Sequence, residues 1–334
     1  MTAIDLVDYW PSAELDAELA DLCYAALRGA SDQRPVTPAL VRAWLRQSGL
    51  TATTLAVHRG PDGRLLGAAA ICWPGAPESS GRLWGPFVHP DARGTGVGTA
   101  LFAALDGVIG NRPGVRMATV AIPETRNTGW GLYERAGWQA LGKANFLHRL
   151  LPATVDQLPP APSSAATGVL VRTIRTGEYL DPAIASLVTG VRPALTFANA
   201  RDTLTRWTTD ERYRPDGLLL AEPSDAGPGD PAAMGTGGPD DRLLGAALVY
   251  RLHQPGSEEP VEARLADLLV AAHLTPATAA AVRIALVDAV VRVSIALGAA
   301  VARAVVESED LSRALLQAGF EVGDRIRYYS RPEP

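Results

Sequence analysis

The sequence predicts an α/β (α+β) protein built from two tandem domains, each a mixed, mostly antiparallel twisted sheet flanked by helices. Strand and helix patterns alternate along both halves of the 334-residue chain. Their order recurs after about 180 residues, and Arg64–Ala69 reappears as Arg242–Ala247 at the matching point. Between the halves, residues 152–167 are rich in Pro, Ala and Ser and have no apolar period, as in a linker. We therefore predict an N-terminal domain at 1–151, a linker at 152–167 and a C-terminal domain at 168–334.

Composition excludes several classes of function. The net charge of −5 and the pI of about 5.6 leave no basic surface for nucleic acid or an anionic membrane. Only two cysteines, Cys23 and Cys72, are present, which predicts buried thiols in a reducing compartment. The first residues lack a signal-peptide pattern, and charged residues interrupt the apolar stretch from Leu265 to Val306. We expect a cytoplasmic protein, monomeric or homodimeric, without nucleic-acid or membrane partners.

In the first half, each element follows from apolar spacing and from residues that start or stop it. Thr37 can cap a helix that begins at Pro38, and Gly60–Gly63 is a turn between two strands. Gly85-Pro86 demands a bulge or splay in its strand, because proline cannot donate to the ladder. The predicted elements are strands at 4–10, 53–59, 65–73, 81–89, 115–122 and 138–150, and helices at 12–30, from Pro38, from Val97 and at 127–136.

The second half repeats this order with one insertion. Residues 222–241, rich in Gly, Pro, Asp and Ala, are expected to be mobile or disordered. The predicted elements are strands at 169–175, 217–222, 243–251, 261–271, 300–307 and near 321–330, and helices at 181–189, 277–297 and 310–318.

The most informative stretch is the loop that follows Val88. An apolar strand ends at Pro90, glycines stand at positions 94, 96 and 98, and a helix pattern begins at Val97. Glycines let a bulky anion approach the backbone, and the unpaired amides that open a helix attract it. The glycine spacing matches neither a dinucleotide fingerprint nor a nucleotide-hydrolase loop. A diphosphate group is the expected ligand of this loop.

Two segments carry a family resemblance. Arg93-Gly94-Thr95-Gly96-Val97-Gly98 resembles the coenzyme A pyrophosphate loop of the GNAT superfamily of N-acetyltransferases, and Asn127 to Trp138 resembles the superfamily's later Asn…Tyr-Glu segment. The resemblance implies acetyl-CoA as cofactor. It also implies the following cofactor-binding residues: Phe87, Val88, Arg93, Gly94, Thr95, Gly96, Val97, Gly98, Thr99, Asn127 and Tyr133.

Acetyl transfer needs a neutral amine, a donor for the thioester oxygen and a proton for the leaving thiolate. By resemblance, the backbone near Val88 polarises the acetyl carbonyl and Tyr133 is the general acid; packing as a half-buried aromatic is the alternative for Tyr133. The strand before the loop has no carboxylate, so Glu78 and Glu124 are the nearest candidate bases, with solvated loop residues as the alternative. No histidine spacing supports a metal site.

The second half lacks the glycine loop. Thr275, Pro276, Thr278 and Ala280 stand in place of Arg93, Gly94, Gly96 and Gly98, which predicts poor coenzyme binding there. Its acidic residues Glu262, Asp267 and Glu307 are candidate substrate-binding groups, with solvated strand ends as the alternative.

The predicted function is an acetyl-CoA-dependent N-acetyltransferase acting on a small-molecule amine, in specialised or antibiotic metabolism. The alternative is an acyl-CoA-binding protein whose N-terminal acetyl-CoA is structural, with any transfer in the C-terminal domain. A third possibility is a protein acetyltransferase. Which domain performs transfer stays open at this point.

Overall fold

In a computed structural model of the chain, the described residues are 3–28, 36–45, 50–74, 81–111, 118–123, 130–162, 167–175, 178, 180–191, 197–208, 212–224, 243–252 and 261–331. Their strands are β1 Asp5–Asp8, β2 Leu50–Arg59, β3 Leu65–Pro74, β4 Gly81–Val88, β5 Ala118–Pro123, β6 Gln139–Leu150, β7 Val169–Thr173, β8 Leu218–Pro223, β9 Gly245–Leu252, β10 Glu262–Val270, β11 Val301–Val306 and β12 Glu321–Ser330. Their α-helices are α1 Ala13–Leu27, α2 Pro38–Leu45, α3 Val97–Gly110, α4 Trp130–Arg135, α5 Asp181–Val191, α6 Phe197–Thr208, α7 Pro276–Ala296 and α8 Glu309–Gln317.

The chain forms two compact units. The first consists of Met1–Lys143 together with Asp324–Pro334, and the second of Ala144–Gly323. Strand order in the first unit is β1-β2-β3-β4-β5-β12, and in the second it is β6-β11-β10-β9-β8-β7. Neighbours pair antiparallel except β4 with β5 and β10 with β11, which are parallel. The predicted fold class is confirmed in both units.

Side chains that alternate along each strand build two cores in the first unit, one on each face of its sheet. On β3, Ala69, Ile71 and Trp73 join the core under α3, whereas Ala68, Ala70 and Cys72 join the core under α1 and α2. Both faces of this sheet are therefore covered by helices, which explains why β3 reads as a continuous apolar run.

The second unit is built in the same way. Leu219 and Ala221 of β8 pack into the core under α7 and α8, and Leu218 and Leu220 pack into the core under α5 and α6. Of these helices, α6 is absent from the sequence prediction, although Ala200, Leu204 and Trp207 have helical spacing and are buried.

The closing strands differ from the predicted domain boundaries. Residues 145–150 of β6 pair with β11 in the second unit, and residues 326–330 of β12 pair with β5 in the first. The sequence-based boundaries assign 138–150 to the first domain and 321–330 to the second. Each unit thus completes its sheet with a strand from the other half of the chain, because an edge strand accepts any segment that presents matching backbone donors and acceptors.

The predicted linker also differs from the structure where it is described. Val155–Gln157 forms a 3₁₀ turn, and Leu151, Val155 and Leu158 pack on the core under α7. The guanidinium of Arg292 on α7 donates a 2.6 Å hydrogen bond to the carbonyl of Pro159. The first part of this segment is therefore packed against the second unit. The insertion predicted to be mobile lies largely outside the described residues, at 225–242.

Both cysteines are buried free thiols, as expected. Within the ranges given above, no helix has the length and apolarity that crossing a membrane requires.

Candidate active site

The glycine loop joins β4 to α3 and has the conformation that its glycines permit. Gly94 and Gly96 have φ values of +76° and +88°, in the left-handed region that other residues adopt only with strain. No atom lies within 4 Å of a Cβ built on either residue, so the space above the loop is open. The loop presents bare backbone to solvent, which is the geometry that an anion needs for close approach.

The N-terminus of α3 has no protein cap. Gly96 is the N-cap residue and makes no side-chain capping bond, and the first turn contains no acidic residue. The amides of Val97, Gly98 and Thr99 precede the first intrahelical donor, Ala100, whose N–H reaches the Gly96 carbonyl at 3.0 Å. With the helix dipole behind them, these amides form a site for negative charge.

The corresponding helix of the second unit, α7, is capped by its own chain. Thr275 is the N-cap, and its hydroxyl oxygen accepts a 3.2 Å hydrogen bond from the amide of Thr278. Pro276 follows at the first helical position and has no N–H to offer. The side chain of Thr275 thus occupies the place that the glycine loop leaves open in the first unit.

A small polar group supports the loop from β4. His89 is buried and caps the 3₁₀ turn Pro90–Ala92. Its Nε2 lies 2.7 Å from a guanidinium nitrogen of Arg64, and its Nδ1 lies 3.3 Å from a carboxylate oxygen of Asp91. The same Nδ1 accepts a 3.2 Å hydrogen bond from the backbone amide of Asp91, which is the capping bond of the turn. This histidine therefore holds the turn that leads into the glycine loop.

The other loop side chains point to the protein. Arg93 is exposed, and its Nη2 donates a 2.7 Å bond to the carbonyl of Ala26 at the end of α1. The hydroxyl of Thr95 donates to the carbonyl of Ala92 at 2.7 Å, and the side chain of Val97 is buried in the core. Backbone amides, more than side chains, are therefore the loop's binding groups.

Directly before the loop, β4 separates from β5. The parallel pair is in register only at Gly81 and Arg82. In the ladder with β3, the register shifts by one residue between Ala68 and Ala70, at Gly85-Pro86. This bulge confirms the irregularity expected from the proline, and it leaves Gly85 to Val88 beside a gap between two strands.

Tyr133 on α4 is directed at this bulge. Its hydroxyl donates a 2.7 Å hydrogen bond to the carbonyl of Gly85, although its side chain is only 2% exposed. Burial raises the pKa of its phenol far above the ordinary value, so the hydroxyl keeps its proton at neutral pH. Phe102 and Trp138 pack edge-on against the ring. The residue is thus more buried than the sequence indicated, and its one polar atom lies at the bulge.

The C-terminal strand β12 contributes a side chain to the packing around Tyr133. Tyr329, fully buried, stacks on Tyr133 with ring centroids 5.9 Å apart, and its hydroxyl donates to Glu134 at 3.0 Å. Arg327 lies 3.8 Å from the centroid of the Trp130 ring. Nothing in the sequence around Tyr329 connects it to a site nearly two hundred residues earlier.

Three other predicted site residues, Glu78, Glu124 and Asn127, lie outside the described residues. The three acids of the second half are not brought together. Glu262, at the start of β10, forms a 3.1 Å ion pair with Arg303. Asp267 lies at a bulge further along β10, and Glu307 is exposed just beyond the end of β11. Because β10 and β11 are parallel, Glu262 lies at the opposite end of the pair from the other two acids.

Comparison with known proteins agrees with this geometry. Residues 51–140 match the family model of the acetyltransferase (GNAT) domain. A GCN5-related N-acetyltransferase from Sphaerobacter thermophilus superposes with a TM-score of 0.70 at 21% identity, covering 98% of this chain and 96% of that one. A tandem GNAT protein from the clavulanic acid biosynthesis pathway gives a TM-score of 0.65 at 15% identity and 98% coverage of both chains.

N-myristoyltransferase from Saccharomyces cerevisiae, solved with bound myristoyl-CoA, gives a TM-score of 0.61 at 12% identity, covering 100% of this chain and 84% of that one. A sequence comparison with curated proteins found no significant match.

Residues 51–140 therefore match the GNAT acetyltransferase domain, a class of domain that transfers an acyl group from coenzyme A. The chain as a whole has the fold of tandem GNAT proteins, and acetyl-CoA is the cofactor of such acetyltransferase domains. The uncapped helix N-terminus and the open space over Gly94 and Gly96 fit the pyrophosphate of that cofactor.

Proposed function

We propose that the chain is an acetyl-CoA-dependent N-acetyltransferase for a small-molecule amine, and that the first unit holds the coenzyme. The observation that carries this proposal is the contrast between the two related helices. The N-terminus of α3 is uncapped behind a glycine loop and lies next to the gap between β4 and β5. The N-terminus of α7 is closed by Thr275 and Pro276.

In this proposal the backbone of the glycine loop binds the coenzyme, and the gap between β4 and β5 admits its acyl end. The amides of Val97, Gly98 and Thr99 hold the pyrophosphate, and the lack of side chains at Gly94 and Gly96 allows its approach. When bound, acetyl-CoA supplies an acyl thioester. The irregular backbone from Phe87 to Val88 is free of the β5 ladder and can offer an N–H to the acetyl oxygen, where negative charge develops.

Tyr133 is the proposed proton donor. The amine nitrogen bonds to the acetyl carbon, the carbon–sulfur bond breaks, and the sulfur takes a proton. The phenol is protonated at neutral pH and is held at the bulge by its bond to Gly85. Exchanging that carbonyl for the sulfur would require only a rotation about the C–O bond or a small shift of the ring. Glu78 or Glu124 is the proposed base that removes the proton of the ammonium.

The alternative, a binding protein that holds acyl-CoA without turnover, is favoured by one observation. The side chain of Tyr133 is almost completely enclosed by Phe102, Trp138 and Tyr329. A phenol that stays bonded to Gly85 cannot protonate a leaving group.

Two measurements separate these functions. Purified protein incubated with acetyl-CoA and a panel of amines should release free thiol and acetylated amine. Native mass spectrometry should count one coenzyme per chain. Coenzyme that binds without any thiol release would establish the binding protein, and two bound coenzymes would contradict the assignment to the first unit. The similarity of fold to the clavulanic acid pathway protein makes specialised metabolism the setting in which we propose to search for the acceptor.

A further inference from the structure

Three aromatic side chains line the other face of the bulge in β4. Trp84 and Phe87 flank Gly85-Pro86, with ring centroids 4.6 Å apart, and Trp44 on α2 lies 6.4 Å from Trp84. We call these three residues the aromatic cluster. All three residues are partly exposed, whereas Leu55 and Ala68 in the adjoining core are fully buried.

The cluster and the coenzyme loop are on opposite faces of the sheet. Trp84 and Phe87 pack against the core under α1 and α2, whereas Leu83 and Val88 belong to the core under α3. Alternation along β4 and the one-residue bulge produce this division. Gly85 lies between the faces: its carbonyl accepts from Tyr133, and a Cβ built on it would be 3.1 Å from the Phe87 ring.

This placement defines the side from which the acceptor arrives. If the coenzyme is anchored at α3, the acyl group reaches the gap between β4 and β5 from the α3 face. An attacking amine must then approach from the α1 and α2 face, past the aromatic cluster. The inference rests on the proposed function in this step.

On that face, β4 contributes aromatic side chains and no acidic ones. Gly81–Val88 contains no carboxylate. The buried carboxylate of Asp16 on α1 accepts from Arg42 at 2.7 Å and from the hydroxyl of Tyr9 at 2.5 Å, so both of its oxygens already have partners within the protein. Rings that stay partly exposed offer flat apolar area and electron-rich faces, which attract aromatic groups and cations.

We propose that the aromatic cluster is the acceptor subsite, and that the acceptor is a primary amine carried on an aromatic or flat apolar body. The ring of the acceptor packs against Trp84 and Phe87, and its amine extends to the gap. Amino sugars and polyamines, which need several polar partners, are poor substrates.

The test compares primary amines that carry different groups: an aromatic ring, a short ether, a sugar or a polyamine chain. The probes are 2-phenylethylamine and 2-methoxyethylamine, with glucosamine and spermidine as polar comparisons, and the readout is kcat/KM from thiol release. Stacking and burial of one ring predict a preference of about tenfold or more for 2-phenylethylamine. Similar kcat/KM for all four amines, or preference for a polar one, would overturn the subsite while leaving the acetyltransferase intact. Thiol release with none of them, together with no acetyl-CoA binding, would overturn the proposed function itself.

Variants locate the preference. Trp84→Ala should abolish the preference for 2-phenylethylamine and leave acetyl-CoA affinity unchanged, whereas Trp84→Phe should retain most of it. Trp10, which is 75% exposed and outside the cluster, provides the matched control Trp10→Ala. If Trp84→Ala fails to fold, Trp44→Ala measures the same loss from the other side of the cluster. An undiminished preference in a folded Trp84→Ala protein would refute the assignment.

Discussion

Replacing Gly96 with alanine tests the glycine loop most directly. Gly96 has φ +88°, and its added Cβ would meet no atom within 4 Å, so the whole effect arises from the backbone. An L-residue in the left-handed region costs roughly 1–2 kcal/mol. That cost must appear either in the free energy of unfolding, if the loop keeps its shape, or in coenzyme affinity, if the loop relaxes and its amides lose their alignment.

The assay measures both quantities on one preparation. Thermal unfolding should show a fall of about 2–8 °C in the transition of the N-terminal unit if the strain is retained. Isothermal titration with acetyl-CoA should show about 5- to 30-fold weaker binding if the strain is released.

Gly107→Ala is the control. Gly107 lies on the exposed side of the same helix with ordinary φ and no neighbour within 4 Å of an added Cβ. Alanine there should raise stability by up to about 1 kcal/mol and leave binding unchanged. If Gly96→Ala changes neither stability nor affinity, the reasoning about the loop is refuted.

Three further changes address the rest of the molecule. Tyr133→Phe should lower kcat and leave acetyl-CoA affinity unchanged. Because burial raises the pKa of Tyr133, the phenol ionises more readily in the unfolded chain than in the folded one. The wild type should therefore lose more stability than this variant as the pH rises above about 10, where the unfolded phenol ionises. Equal kcat values for the wild type and Tyr133→Phe would refute the proton-donor role. Equal loss of stability at alkaline pH would contradict the burial of the phenol. Deleting residues 324–334 removes the buried Tyr329 and the partner strand of β5, so the first unit should unfold and stop binding acetyl-CoA. The control deletion of 332–334 should leave binding intact. Full affinity in the protein that lacks 324–334 would contradict the pairing of β12 with β5. Thr275→Ala should lower the free energy of unfolding by about 0.5–2 kcal/mol through loss of the cap on α7, as measured by chemical denaturation. Titration should show unchanged acetyl-CoA affinity. A second binding site, or loss of binding, would show that the coenzyme uses α7.

Local chemistry accounts for what the sequence predicted well. The helix start at Thr37, the bulge at Gly85-Pro86 and the glycine loop each depend on a few consecutive residues whose backbone preferences are intrinsic. The loss of the glycine loop in the second half could likewise be read by comparing the two copies. The missing helix α6 had a readable apolar spacing, since Ala200, Leu204 and Trp207 face one core.

Only the tertiary structure decided the partners of these elements. The closing strands of the two halves have similar patterns, and the hydrogen-bonding edge of β5 or β11 can accept either, so pairing depends on the path of the whole chain. The same holds for side chains. The sequence offered Tyr133 as a general acid and Glu262 as a substrate-binding group. In the structure the phenol is enclosed among rings that include Tyr329, and the carboxylate is paired with Arg303. By itself the sequence determined where an anion can meet the backbone, because that property is local. Burial and ion pairing join residues far apart in the chain, so they were determined only when the chain folded.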